Sequence, residues 1–199
     1  MVSNKELQES RIRGYFIEAT KETLKGEGLR AVNVRAVSER AGYSFATLYN
    51  YFKDLNELVF ICVQDFMNEC EGFTVGQSVN ARPGKDRLKA RMKAYIGYFT
   101  QYPGIFELFY IERMNDLGAR QPTARMIYEF TDRIIHDDLT HLIDNGDMNR
   151  EQAELTGLNL KNSIAGLLLL FNNRLQPAEY LDFLAVADKQ IDISLSLIK

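Results

Sequence analysis

The segment between Ser44 and Tyr51 carries hydroxyl, amide and aromatic side chains but no charged residue. Hydroxyl and amide groups can form hydrogen bonds with phosphate oxygens or with the edges of bases, and apolar groups can pack against thymine methyls. The chemistry that this segment predicts is therefore recognition of a nucleic acid. It requires a helix that holds these side chains on one outward face.

A glycine turn precedes this segment. Apolar spacing predicts one helix over residues 34–41, with Asn33 as its N-cap. Gly42 follows where the chain must reverse, because glycine adopts positive φ without a Cβ clash. A second helix over residues 44–50, with Ser44 as its cap, is then predicted.

The second helix is too short to be stable alone, so it must be held by packing. Leu48 and Phe52 are the predicted anchors, since they lie on the inward side of the segment. Two short helices around a glycine turn are typical of a helix-turn-helix unit, whose second helix enters the DNA major groove.

The segment resembles the DNA-binding domain of TetR-family transcriptional repressors. The resemblance rests on Ala41-Gly42-Tyr43-Ser44, on Thr47-Leu48-Tyr49-Asn50-Tyr51-Phe52, on Asn56-Glu57-Leu58 and on a first helix from Arg11 that closes at Gly28. It implies an all-α fold of about nine helices. A three-helix DNA-binding domain over residues 1–54 would precede a helical effector-binding and dimerisation domain over residues 55–199.

The same resemblance implies the DNA contacts. Residues nearest the bases would be Phe45 and Ala46, and Tyr51 would contact a phosphate. The full predicted DNA-binding set is Arg35, Ser44, Phe45, Ala46, Thr47, Tyr49, Asn50, Tyr51 and Lys53. Three departures from the family pattern stand out: Asn33 replaces a threonine, Ser38 an alanine, and Leu55 a lysine that touches a DNA phosphate in many relatives.

Composition independently favours a globular all-helical protein. Of the 199 residues, 46% are hydrophobic and 26% charged, and only four are proline. The net charge is −3, but residues 1–55 carry nine Lys/Arg against seven Asp/Glu. A slightly basic N-terminal part can orient itself toward DNA, although many helical proteins show as much.

The positions of breakers and caps predict the remaining helices. The first should span residues 5–25. Further helices are predicted from Asp54 to Glu71, Lys85 to Tyr102, Ile105 to Arg113, Pro122 to Asn145, Arg150 to Leu175 and from Pro177 onward, with a loop over Gly72–Gly84.

Two sets of mostly apolar side chains predict a ligand-binding site and a dimerisation surface. The middle of the chain is rich in large soft side chains, typical of a ligand pocket but also of a plain core. The predicted ligand-binding residues are Phe66, Tyr95, Phe99, Phe106, Phe109, Tyr110, Arg113, Met126 and Phe130. The last two helices are the predicted dimerisation surface, through Ile164, Leu167, Leu168, Phe171, Leu184, Ile191 and Leu195.

These features together predict a ligand-responsive repressor. It would bind a palindromic double-stranded DNA operator as a homodimer and be released by a small apolar effector. We expect a cytoplasmic protein, since no signal-type segment is present and the longest apolar run, 165–171, cannot span a bilayer. We also expect that it needs no cofactor. Cys62 and Cys70, eight residues apart on one helix, should be buried thiols rather than a disulfide.

Two alternatives remain open from the residues. The protein could be a DNA-binding regulator controlled by a partner protein instead of a small molecule. A more remote alternative is an all-helical enzyme or metal protein. His136 and His141 are five residues apart and do not share a helix face, and no nucleophile motif or phosphate loop accompanies them.

Overall fold

The computed structural model describes residues 3–112, 123–196 and 198. Within these residues the fold is all-α, as predicted, and contains no strand. The helices are α1 Asn4–Gly26, α2 Val34–Ala41, α3 Phe45–Tyr51, α4 Leu55–Ser78, α5 Lys85–Gln101, α6 Pro103–Tyr110, α7 Thr123–Asp144, α8 Arg150–Asn172 and α9 Tyr180–Ser194. A single 3₁₀ turn, Leu29–Ala31, connects α1 to α2.

The described residues form two compact units. The first unit comprises residues 3–67, 102–112 and 123–124, and the second comprises residues 68–101, 125–196 and 198. Helix α4 therefore begins in the first unit and ends in the second.

An apolar cluster of the first unit holds the helix-turn-helix in place. It consists of Phe16, Val37, Leu48, Phe52 and Leu58, all buried. The helices α1 to α4 each contribute one of these side chains, and Phe52 directly follows α3. Tertiary packing therefore holds the short helix α3, as predicted, and it holds α2 as well. The anchoring roles predicted for Leu48 and Phe52 are confirmed.

Both predicted caps of the helix-turn-helix are present. The Asn33 Oδ1 accepts a hydrogen bond of 2.9 Å from the Ala36 amide, and the Ser44 Oγ accepts one of 3.1 Å from the Thr47 amide. Between them Gly42 has φ 77°, the left-handed conformation that glycine adopts most readily. These local interactions set the angle at which α3 leaves α2.

Removing the α2 cap gives a first testable prediction. Asn33→Ala leaves the Ala36 amide without its partner and should lower the free energy of unfolding by about 1 kcal/mol. Asn33→Thr restores a capping oxygen and should recover most of that loss, which urea denaturation followed by circular dichroism would measure. Equal losses for the two variants would contradict the capping role.

Several helix boundaries differ from the predictions. Helix α4 continues through the predicted loop to Ser78, because Thr74 and Ser78 extend its buried face and packing outweighs the poor helix propensity of two glycines. The predicted break between α5 and α6 is present, but α6 starts two residues earlier than predicted, at Pro103, since proline fits the first turn. Helix α8 ends earlier, at Asn172, and α9 starts later, at Tyr180. The predicted start at Pro122 lies outside the described residues.

A buried ionic cluster joins α7 to α5 in the second unit. Asp138, 0% exposed, accepts hydrogen bonds from the Gly84 amide at 3.1 Å and from Arg87 Nε at 2.7 Å. Its other carboxylate oxygen lies 3.3 Å from an Arg91 guanidinium nitrogen. On the opposite side of α5, Lys93 pairs with Asp188 of α9 at 3.0 Å. Helix α5 is thereby fixed to both α7 and α9.

The predicted dimerisation residues divide into two groups. Ile164, Leu168, Ile191 and Leu195 are buried within the second unit, so these four predictions are corrected: the side chains build the chain's own core and are not available to a partner. Leu167, Phe171 and Leu184 are half-buried. Helix α8 also carries three exposed apolar side chains, Leu158, Leu169 and Leu170.

Candidate nucleic-acid interface

The outward face of α3 is formed by four residues. Phe45 is 64% exposed and Tyr49, one turn later, is 53% exposed. Ala46 and Asn50 are also exposed and are likewise one turn apart. Leu48 is fully buried and Thr47 and Tyr51 are half-buried, so the four exposed side chains are the part of α3 that is available to a partner.

The start of α3 is fixed by its own hydroxyl groups. The Ser44 Oγ lies 2.9 Å from Thr47 Oγ1 in addition to capping the Thr47 amide. The preceding Tyr43 packs its ring at 5.7 Å from Phe16 and at 6.0 Å from Tyr15, measured between centroids. The two hydroxyls therefore serve the cap, and the turn before α3 is held by aromatic packing.

The two tyrosines of α3 lie in different environments. Tyr49 is exposed, whereas Tyr51 packs, half-buried, against the apolar cluster of the first unit. The helical positions explain this, because Tyr51 lies three residues beyond the Leu48 anchor. Both remain predicted phosphate contacts.

The predicted cationic contacts lie on either side of α3. Lys53 is exposed, and its backbone amide donates to the Glu57 carboxylate at 2.7 Å. The exposed Arg35 donates through Nε to Glu39 at 2.8 Å, and this hydrogen bond raises the pKa of Arg35 above its ordinary value. Part of the Arg35 charge is thus balanced within α2 itself.

Leu55 stands where the resemblance expects a lysine. It is half-buried and packs against the apolar cluster of the first unit, at the first position of α4. The Asp54 Oδ1 caps this helix by accepting a hydrogen bond of 2.8 Å from the Glu57 amide, and the Glu57 carboxylate accepts one from the Lys53 amide. An apolar side chain that packs in the core therefore occupies the position of the expected lysine, and the exposed cation nearby in the sequence is Lys53.

The predicted ligand-binding residues are distributed over both units. Phe66, Phe106, Phe109 and Tyr110 belong to the first unit, Tyr95, Phe99, Met126 and Phe130 belong to the second, and Arg113 lies outside the described residues. Within the second unit Tyr95 stacks edge-on against Phe99 at 4.8 Å. Phe66, Phe99, Phe106 and Phe130 are fully buried core side chains, and their role in ligand binding stays a prediction.

Among the openings that the described residues form on the second unit are two that none of those predicted residues lines. A groove of about 630 Å³ between α7 and α8 has an apolar floor that includes Ile135, Leu139 and Gly157, with charged residues at its rim. A second opening of about 470 Å³ is lined by Phe73, Gly97, Thr100, Gln101, Phe171 and Tyr180. Sequence reasoning missed this set because its members come from four helices and no local spacing links them.

The described residues also bear on metal binding, thiol chemistry and membrane-spanning helices. No group of three or more His, Cys, Asp or Glu side chains there could hold a metal ion. Cys62 and Cys70 are free and buried, and desolvation raises the pKa of both thiols far above the ordinary value. Among the helices that the structure describes, none is long and apolar enough to cross a membrane.

Comparisons with known proteins agree with the geometry of α2 and α3. The sequence model described as "Bacterial regulatory proteins, tetR family" matches residues 16–60. The chain is 23% identical over 174 residues to the HTH-type transcriptional regulator BetI of Klebsiella pneumoniae (strain 342), a match that covers 79% of this chain and 80% of that protein.

Solved structures show the same fold over almost the full length. A putative TetR-family transcriptional regulator from Rhodococcus sp. superposes with a TM-score of 0.73 at 19% identity, covering 93% of this chain and 98% of that one. The regulator FadR from Bacillus subtilis, solved in complex with stearoyl-CoA, gives a TM-score of 0.72 at 16% identity over 94% and 99% of the two chains.

Proposed function

Because the chain belongs to the TetR family of bacterial transcriptional regulators, we propose that it is a repressor that binds a palindromic operator as a homodimer and is released by a small, largely apolar effector. The observation that carries this proposal is the exposed, uncharged face of α3. It is presented by a helix that one buried leucine and a hydroxyl cap hold in place. Such a face suits insertion into a major groove.

Exposed apolar side chains on α8 and α9 support the homodimer. They are Leu155, Leu158, Leu169, Leu170, Leu181, Val186 and Ile193. Exposed apolar side chains on neighbouring helices are available to a protein partner, and a two-fold interface buries the same surface on both copies. Two recognition helices then meet major grooves about 34 Å apart.

Release by an effector is supported by the opening that α4 helps to line. Phe73 lies in the part of α4 that belongs to the second unit, and the same helix begins in the first unit directly after α3. The opening combines three aromatic rings with Thr100 and Gln101, the mixture of apolar walls and few polar groups that binds small molecules. A ligand that contacts Phe73 would shift the equilibrium of α4 positions and, with it, operator affinity.

The DNA-binding part of the proposal is tested by in vitro selection from randomised duplexes, followed by fluorescence anisotropy at a fixed salt concentration. We expect a palindromic sequence bound by two chains per duplex. Tyr51→Phe removes only a hydroxyl and should weaken binding by up to about tenfold, because it deletes one phosphate hydrogen bond. Tyr128→Phe, at an exposed tyrosine of α7, is the matched control. Failure to enrich any sequence would overturn the proposal.

The effector is sought by titrating the protein–operator complex with a panel of ligands that carry a large apolar group, beginning with the acyl thioester stearoyl-CoA. At least one ligand should lower operator affinity by about five- to 150-fold, the usual range of allosteric coupling. Gly97→Leu fills the second opening and should abolish this response without changing operator affinity in the absence of ligand; Gly72→Leu, on the exposed side of α4, is the control. If no ligand lowers operator affinity, the effector part of the proposal fails and control by a partner protein is the alternative.

A further inference from the structure

The face of α3 lacks the groups that recognise guanine. The most frequent specific contact to guanine is bidentate, from arginine or lysine to O6 and N7. Between Tyr43 and Phe52 the sequence contains no charged residue of either sign. Helix α3 itself therefore offers neither a cation for guanine nor a carboxylate for cytosine.

The hydroxyl groups at the start of α3 are already engaged. Ser44 Oγ accepts from the Thr47 amide at 3.1 Å and lies 2.9 Å from Thr47 Oγ1. The side chains beside them that face outward are the ring of Phe45 and the methyl group of Ala46, both exposed. This end of the recognition face is thus apolar.

Phe45 is the largest of these groups. Its ring is 64% exposed and Tyr49, four residues on, extends the same strip. The only apolar group on the major-groove edges of the four base pairs is the C5 methyl of thymine. An apolar ring that enters the groove therefore gains the most free energy where it covers such a methyl.

We propose that Phe45 determines the sequence specificity of this protein by packing on a thymine methyl group in each operator half-site. The inference rests on the proposed function, since it assumes that α3 enters the major groove. It adds that the recognised base is thymine and that the methyl group of this base, rather than a hydrogen bond, distinguishes it from the other bases.

The test uses operators obtained by in vitro selection, in which each thymine of the half-site is replaced in turn by deoxyuridine. The replacement removes one methyl group and leaves every hydrogen-bonding group of the base in place. At one position the wild-type protein should lose about fourfold in affinity per half-site, the value of one buried methyl-sized group, and about fifteenfold when both half-sites are changed.

A double-mutant cycle assigns this loss to Phe45. In Phe45→Ala the deoxyuridine substitution should have no effect, because the side chain that covers the methyl is gone. Replacing the same thymine with cytosine should weaken wild-type binding, and 5-methylcytosine should restore part of it. Phe45→Ala should keep the thermal midpoint of the wild type, since the ring is exposed, and Tyr128→Ala, which removes a ring 63% exposed on α7, should leave the deoxyuridine effect intact.

The outcomes separate this inference from the proposed function. If a palindrome is selected but deoxyuridine has no effect anywhere, or has the same effect on Phe45→Ala as on the wild type, thymine-methyl recognition by Phe45 is refuted while DNA binding stands. If no sequence is selected, the proposed function fails and the inference fails with it.

Discussion

Gly104→Ala should destabilise the first unit by roughly 3 kcal/mol, at the upper end of what overpacking usually costs. A Cβ on Gly104 would lie 2.5 Å from the Lys25 carbonyl oxygen and 3.1 Å from that of Leu24. Both obstacles are backbone atoms in the last turn of α1, so no side-chain rotation relieves the clash. Helices α1 and α6 would have to separate, and their shared core would open.

The expected readout is a fall of about 10 °C in the thermal midpoint. Gly14→Ala is the matched control, because Gly14 lies within α1 and its added Cβ meets nothing within 4 Å. That variant should gain about 0.5–1 kcal/mol from the better helix propensity of alanine. A Gly104 variant as stable as the wild type would show that the two helices are not held this closely.

Asp138→Ala should cost about 3–5 kcal/mol, the usual loss when one partner of a buried ion pair is removed. The substitution leaves the buried Arg91 guanidinium without its anion and takes hydrogen-bond acceptors from Arg87 and from the Gly84 amide. Three groups at the start of α5 thus lose their common partner at once.

Urea denaturation would measure this loss, with Asp137→Ala as the control. Asp137 is the neighbouring residue on α7 and is exposed, so its substitution should change the free energy of unfolding by no more than about 0.5 kcal/mol. Asp138→Asn, which keeps the shape but removes the charge, should give an intermediate loss. Equal effects of the substitutions at Asp137 and Asp138 would contradict the role of the buried cluster.

Local chemistry made the helix-turn-helix predictable. Asn33, Gly42 and Ser44 each act within a few residues of their own position, through caps and a turn, and the structure places all three as predicted. Leu48 and Phe52 were also identifiable, because a helix of seven residues must be anchored by the few large apolar side chains it has.

Tertiary packing decided what could not be predicted. Two glycines in α4 predicted a loop, but the buried Thr74 and Ser78 show that contacts from other helices sustain the helix. Likewise, the apolar pattern of α8 could not show which leucines face the chain's own core and which face outward. The 470 Å³ opening depends on residues from four helices, a relation that no single stretch of sequence contains.

Helix α3 separates the residues that maintain the fold from those available for recognition. Leu48 is its only fully buried residue, whereas Phe45, Ala46, Tyr49 and Asn50 are exposed. Substitutions at exposed positions usually change stability by less than about 0.5 kcal/mol. A duplicated gene could therefore acquire a new operator through mutations at these four positions without first acquiring a compensating stabilising mutation, which makes the recognition helix an evolvable part of the molecule.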